Sequence, residues 1–135
     1  MHPAPSRRTA DPRSVVERYL EEVLNGGDQK VERELVANAS FSERLQGFRR
    51  AFPDVEVETT LILAEGDVVA VHSVGRGTHR GPFYGIPPTG RRWSATCTAL
   101  YRVRDGRIAD AWVNWDRLAI LEQLEAIRVA ETGSA

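Results

Sequence analysis

The hydrophobic repeat of this chain changes period at Pro53, and that change limits the fold more than any other feature. Before it, Val15, Val16, Tyr19, Leu20, Val23 and Leu24 recur at helical spacing. Asp11 is a good N-cap and Pro12 suits the first helical position, while Asn25-Gly26-Gly27 closes the helix. Asp28 caps a second, short helix carrying Val31 and Leu35. The capping-box spacing of Ser40-Phe41-Ser42-Glu43 predicts a third, with Leu45, Phe48 and Phe52 as its apolar stripe and Pro53 as its stop.

After Pro53 the period is two. Val55, Val57, Thr59, Leu61 and Leu63 alternate with Glu56, Glu58, Thr60 and Ile62, which places the first set on one face of a strand. Glu65-Gly66-Asp67 is a turn and Val68 to Val74 a second strand. The glycines and prolines between Gly75 and Gly90 read as a long structured loop. Arg92 to Val103 and Ile108 to Trp115 are strands joined at Asp105-Gly106, a hairpin turn that needs positive φ. Leu118, Leu121, Leu124 and Ile127 mark a C-terminal helix. Helices, then a meander, then a helix is an α+β order rather than an alternating βαβ one. The expected fold is N-terminal helices on a curved antiparallel sheet that holds a pocket for a small organic molecule. Residues 1–12 read as a disordered leader and 13–130 as a single domain.

Composition narrows the function. The 135 residues suit one domain that folds without disulfides or a structural metal. A net charge of −1 offers no attraction to nucleic acid, and no apolar run approaches the ~18 residues of a membrane span. MHPAPSRRTA lacks the apolar stretch of a signal peptide. Cys97 is the only cysteine, so no internal disulfide forms and a cytoplasmic location is expected. There is no GxGxxG, P-loop, GxSxG or metal-ligand spacing, and cofactor-free chemistry is the expectation.

The last strand carries the most chemical information. Trp112, Asn114 and Asp116 share one face, an indole beside an amide and a carboxylate. Burial against aromatic rings would suit Asp116 to acid–base work, but it also precedes the C-terminal helix and could simply cap it. His72 lies inside the second strand and His79 in the glycine-rich loop; each is either a proton-transfer group or an ordinary polar residue. Tyr101 could donate to a substrate oxygen. Cys97, among small neighbours, reads as a buried packing thiol.

Several stretches resemble the SnoaL-like polyketide cyclase family, within the nuclear transport factor two-like superfamily. They are Tyr19-Leu-Glu-Glu-Val-Leu-Asn25 with Gly27-Asp28, Ala51-Phe-Pro-Asp54, Glu65-Gly-Asp67, the loop Gly77-Thr-His to Pro-Pro-Thr-Gly90, Tyr101 to Ile108, and Trp112-Val-Asn-Trp-Asp116 leading to Leu121-Glu-Gln-Leu124. The resemblance implies a cone of sheet closed by helices, often dimeric, with Trp112 and Asn114 facing inward. It also implies an aspartate at the position of Asp116 acting as general acid/base in a cofactor-free intramolecular aldol closure. The chain departs from the family between Leu35 and Phe41, where relatives carry more residues, so a pocket wall is expected to be missing or to come from a partner.

The reading is an enzyme acting on a hydrophobic carbonyl compound by aldol cyclisation, isomerisation or hydrolysis. Asp116 would move the proton, Asn114 or His72 would stabilise oxygen charge, and Trp112, Trp115 and Phe83 would give apolar contact. The alternative is a non-catalytic small-molecule-binding or dimerisation module of the same fold. Apolar residues on both faces of the last two strands predict a homodimer through the sheet.

Overall fold

The computed structural model describes residues 11–128 and 130, so most of the expected leader lies outside the described residues. Helix α1 (Pro12–Arg18) starts directly after Asp11, whose side chain caps no backbone amide and instead accepts from Ser14 Oγ at 3.1 Å, and it continues as a π-helical stretch, Tyr19–Asn25. The buried residues Val15, Tyr19 and Val23, and Val16, Leu20 and Leu24, recur every four positions. A spacing of four drifts around a regular helix of about 3.6 residues per turn; the wider π turn brings the second half back onto the sheet. Gly27, at φ +67°, ends the segment. Asn25 then ties this end to the sheet, its amide donating to Val57 O at 3.0 Å and its Oδ1 accepting from Val57 N at 2.7 Å.

Helix α2 (Gln29–Leu35) is capped by Asp28, which accepts from the amides of Lys30 and Val31. Helix α3 (Ala39–Ala51) begins two residues earlier than the capping-box motif suggests, because the Asn38 side chain accepts from Phe41 N at 2.9 Å. The short segment before it is paired rather than loose. Val36 bridges Ile108 in parallel, Ala37 N donates to Ile108 O at 2.9 Å, and Asn38 Nδ2 donates to Ala109 O at 3.1 Å.

The sheet is an antiparallel meander in chain order: β1 (Glu56–Glu65), β2 (Val68–Thr78), β3 (Arg92–Arg104) and β4 (Arg107–Trp115). A bulge between Thr59 and Leu61 corrects the alternation read for β1. It turns Leu61 and Leu63 to the outer face, 55% and 59% exposed, and brings Ile62 opposite the buried Val71. Strand β2 runs to Thr78, so Gly75 and Gly77 belong to the sheet and not to the loop. The β3–β4 turn has both Asp105 and Gly106 at positive φ, as expected. Helix α4 (Arg117–Gln123) is shorter than its leucine spacing implies: Glu125 turns left-handed at φ +58°, Ala126 N closes back on Leu121 O, and Ile127 lies beyond.

The remaining loop, 79–91, folds onto the end of α3. The amides of Arg80 and Gly81 both donate to Ala51 O, and its ends pair through His79 N to Arg91 O and Gly90 N to His79 O, both 2.9 Å. Asp54 anchors the same corner by accepting from Thr78 N at 2.7 Å and Thr78 Oγ1 at 2.6 Å. Burial pushes its carboxyl upward, but these two bonds and the Arg80 charge outweigh that and hold it below the ordinary value.

One inner-face contact sets the interior. Trp115 lies over Gly75, two strands away, and a Cβ at Gly75 would sit 2.5 Å from Cζ3 of that indole and closer still to Cη2. The indole stacks on Phe48, centroids 4.8 Å apart and planes 17° apart, and meets Trp93 edge-on at 5.5 Å. Gly75→Ala is therefore expected to destabilise the protein by about 2 kcal/mol through overpacking. Urea denaturation checks this, and the cost should largely vanish when Trp115→Ala is also present.

Candidate functional site

The inner face of β4 is formed by Ala111, Val113 and Trp115, which register against Tyr101, Ala99 and Cys97 of β3. This corrects the expected orientation of Trp112 and Asn114. Their register partners are Leu100 and Thr98, on the outer face, and Trp112 is 46% exposed with the Arg102 guanidinium 5.4 Å above its ring. The strand period was read correctly, but both of its faces carry a tryptophan. Gly75, which leaves room for Trp115, decides which face turns in.

Between this inner face and α3 lies a cavity of about 350 Å³, within the size range of small-molecule sites. Its walls come from the first helical segment (Tyr19, Leu20, Leu24), from α3 (Phe41, Leu45, Phe48) and from the sheet (Val57, Val71, Ala99, Val113 and Trp115). The lining residues that are also exposed, Arg44, Trp112, Asn114 and Arg117, place the mouth between α3 and the β4–α4 junction. Trp112 and Asn114 thus reach the cavity from the sheet edge.

Inside, the polar groups are the phenols of Tyr19 and Tyr101, the Ser73 hydroxyl and the Cys97 thiol. The two phenol rings and Phe41 form a triangle with centroids 5.6–6.2 Å apart. Among the described residues neither phenol hydroxyl has a hydrogen-bond partner, yet neither is walled off as the unpartnered His79 Nε2 and Trp93 Nε1 are. Both therefore present an O–H to the cavity. Burial, first of all, pushes the Tyr19 and Tyr101 phenols above their ordinary range, so they remain donors. Tyr19 was read only as part of a helical stripe; a tyrosine among aliphatic residues, with a hydroxyl to satisfy, was the signal available.

The other sequence candidates are dispersed. Asp116 is exposed; its Oδ1 accepts from Ala119 N at 3.1 Å, so it caps α4, and it stands between two cavity residues, Trp115 and Arg117. His72 lies on the outer face with Nδ1 2.9 Å from Thr98 Oγ1. His79 is fully buried outside the cavity, and its Nδ1 accepts from Thr89 N at 3.1 Å. Phe83 packs on Phe52 at 4.9 Å, in the aromatic cluster beneath the cavity. No group of three or more His, Cys, Asp or Glu among the described residues could hold a metal ion.

The sequence matches the family model of SnoaL-like polyketide cyclase over residues 6–124. No curated protein matches it. Among solved structures, IdmH from Streptomyces antibioticus, provisionally called a polyketide cyclase, is 31% identical, with a TM-score of 0.73 over 85% of this chain and 99% of that one. A provisional SnoaL-like polyketide cyclase from Jannaschia sp. CCS1 shares the fold at 23% identity and a TM-score of 0.76, covering 95% and 99% of the two chains. AclR from Streptomyces galilaeus, provisionally called a hydroxylase, shares it at 24% identity and 0.70, covering 96% and 87%. One architecture thus carries different assigned reactions, and the chemistry has to be argued from the cavity.

The thiol offers a direct check on that cavity. Burial pushes Cys97 up to about 12, against the Arg117 charge that draws it down. Native Cys97 is expected to react with a thiol reagent at pH 8 at least ~100-fold more slowly than the unfolded chain, followed by absorbance.

Proposed function

This chain belongs to the SnoaL-like polyketide cyclase family, and on that premise we propose that its cavity binds a hydrophobic carbonyl compound and promotes cofactor-free enolisation, as in an intramolecular aldol closure. The observation that carries the proposal is the pair of phenol donors, Tyr19 and Tyr101, opening on an otherwise largely apolar cavity. In so dry a setting, O–H donors aimed at a carbonyl oxygen stabilise the charge that develops there as the α-proton leaves. The Phe48–Trp115 stack supplies a flat apolar wall for the body of the ligand. Asp116 is the proton acceptor in this reading: only its Oδ1 serves the helix cap, and both its sequence neighbours line the cavity.

A second reading, a non-catalytic small-molecule-binding module, is favoured by one observation: neither a carboxylate nor an imidazole is among the side chains lining the cavity. Exchange of the α-protons of 2-tetralone in D2O, followed by NMR, separates the two. The enzyme reading expects the protein to accelerate exchange, Tyr101→Phe to reduce that acceleration by about 100-fold, and Asp116→Asn to abolish it. Asp116→Asn should leave stability unchanged, since Asn caps a helix about as well as Asp. Binding of the ketone with no acceleration would establish the module instead, and acceleration untouched by Asp116→Asn would remove Asp116 as the base.

The same reading includes a cytoplasmic homodimer. Leu61, Leu63, Leu100 and Trp112, each 42–59% exposed, spread apolar surface over three strands of the outer face, and a second copy would cover it. Light scattering at micromolar concentration should give twice the chain mass, falling to the monomer in Leu100→Glu; a monomeric wild type would refute the dimer.

A further inference from the structure

Arg44 on α3 and Arg117 at the start of α4 are both exposed residues of the cavity lining, and they are its only charged lining residues. Neither guanidinium has an ion-pair or hydrogen-bond partner among the described residues. Arg18 and Arg102 are engaged, with Glu22 and Glu34 and with Asp67 and Asp110; other arginines such as Arg33 and Arg50 are also unpaired among the described residues, and what distinguishes Arg44 and Arg117 is their place in the cavity lining. The acids adjacent in sequence, Glu43 and Asp116, form no ion pair with them, and Asp116 Oδ1 accepts from the Ala119 amide. Arg117 also acts inward, since its charge is felt by the Cys97 thiol in the cavity wall. The mouth is therefore a positive rim on an apolar cavity, where low-dielectric walls concentrate the field and weaken the competition from water.

We propose that this rim selects ligands whose apolar body ends in a free carboxylate, with the body lying against the Phe48–Trp115 stack and the carboxylate held at the mouth by Arg44 and Arg117. The proposal rests on the cavity being the binding site and adds the class of compound it takes: a hydrophobic carboxylic acid in preference to its ester. Arginine suits the task because its planar fork meets a carboxylate through two hydrogen bonds. Two such residues on separate helices would also set the direction in which a long ligand enters, placing its far end toward the phenols.

Calorimetric titration of the full chain with 2-naphthoate and with methyl 2-naphthoate at pH 8 tests it. The acid should bind about tenfold more tightly than the ester, a preference that falls with added salt. Arg44→Gln and Arg117→Gln should each shrink the acid-to-ester ratio by about threefold or more while leaving ester affinity alone, and Arg33→Gln, on α2, should change nothing. Both substitutions are at exposed positions, and circular dichroism confirms the fold of each variant. Equal or tighter binding of the ester to the wild type, or a ratio unmoved by both mouth variants, would overturn the carboxylate preference while leaving the cavity as a binding site. Absence of heat and of any melting shift with either compound would overturn the cavity reading and this one together.

Discussion

The seating of Trp115 on Gly75 is the contact on which the interior depends. A sheet face built from side chains of ordinary size would hold an indole away from the strands. The missing side chain at Gly75 lets the ring lie flat across the sheet, where it meets Phe48 from α3 and Trp93 from β3. Below this layer Phe52, Phe83 and Trp93 fill the cone; above it the walls are held apart and the cavity remains. Without the tryptophan layer as a floor, the space would be continuous with the packed core. The position of the site is thus a consequence of packing volume at two residues far apart in sequence.

Chemistry inside that space follows from what the floor excludes. Among the described residues the Tyr19 and Tyr101 hydroxyls have no hydrogen-bond partner, and both residues line the cavity, where a group with a lone pair could accept from them. Asp116 is placed by a different requirement. The first amides of α4 need an acceptor, and the residue at the strand–helix junction meets that need. A carboxylate that serves a helix and a reaction must divide its two oxygens between them, and only one is committed here.

Much of the fold was legible because it rests on local rules. The change of period at Pro53, the helix start after Asp11, the Asp28 cap, the Asp105-Gly106 turn and the order of the strands are each written in a few adjacent residues. What escaped depends on contacts between distant segments. The bulge after Thr59 has no signature in a run of alternating residues, yet it reverses Leu61 and Leu63. The inward face of β4 is chosen by Gly75, about forty positions earlier, and nothing in the strand itself ranks Trp115 above Trp112. Asn38 outcompetes Ser40 as a cap because the preceding segment is already pinned to β4 by Val36 and Ala37. The candidate site suffered most, since a site is by nature where separate segments meet: Tyr101 was identified, but Tyr19, Arg44 and Arg117 were hidden among ordinary helical residues.

The walls of the cavity draw on segments from the first helix to the last strand. Tyr19 belongs to the first helical segment and Trp115 to the last strand, and the meander between them is built from neighbour-to-neighbour hairpins. During synthesis the helices and the first three strands can form as they emerge, but the cavity has no floor until β4 leaves the ribosome and docks. A compound that fits the cavity therefore recognises the finished chain and no earlier intermediate. Its binding energy is added to the stability of the whole fold rather than to any part of it, so the cellular supply of ligand would set how much of the newly made protein survives quality control.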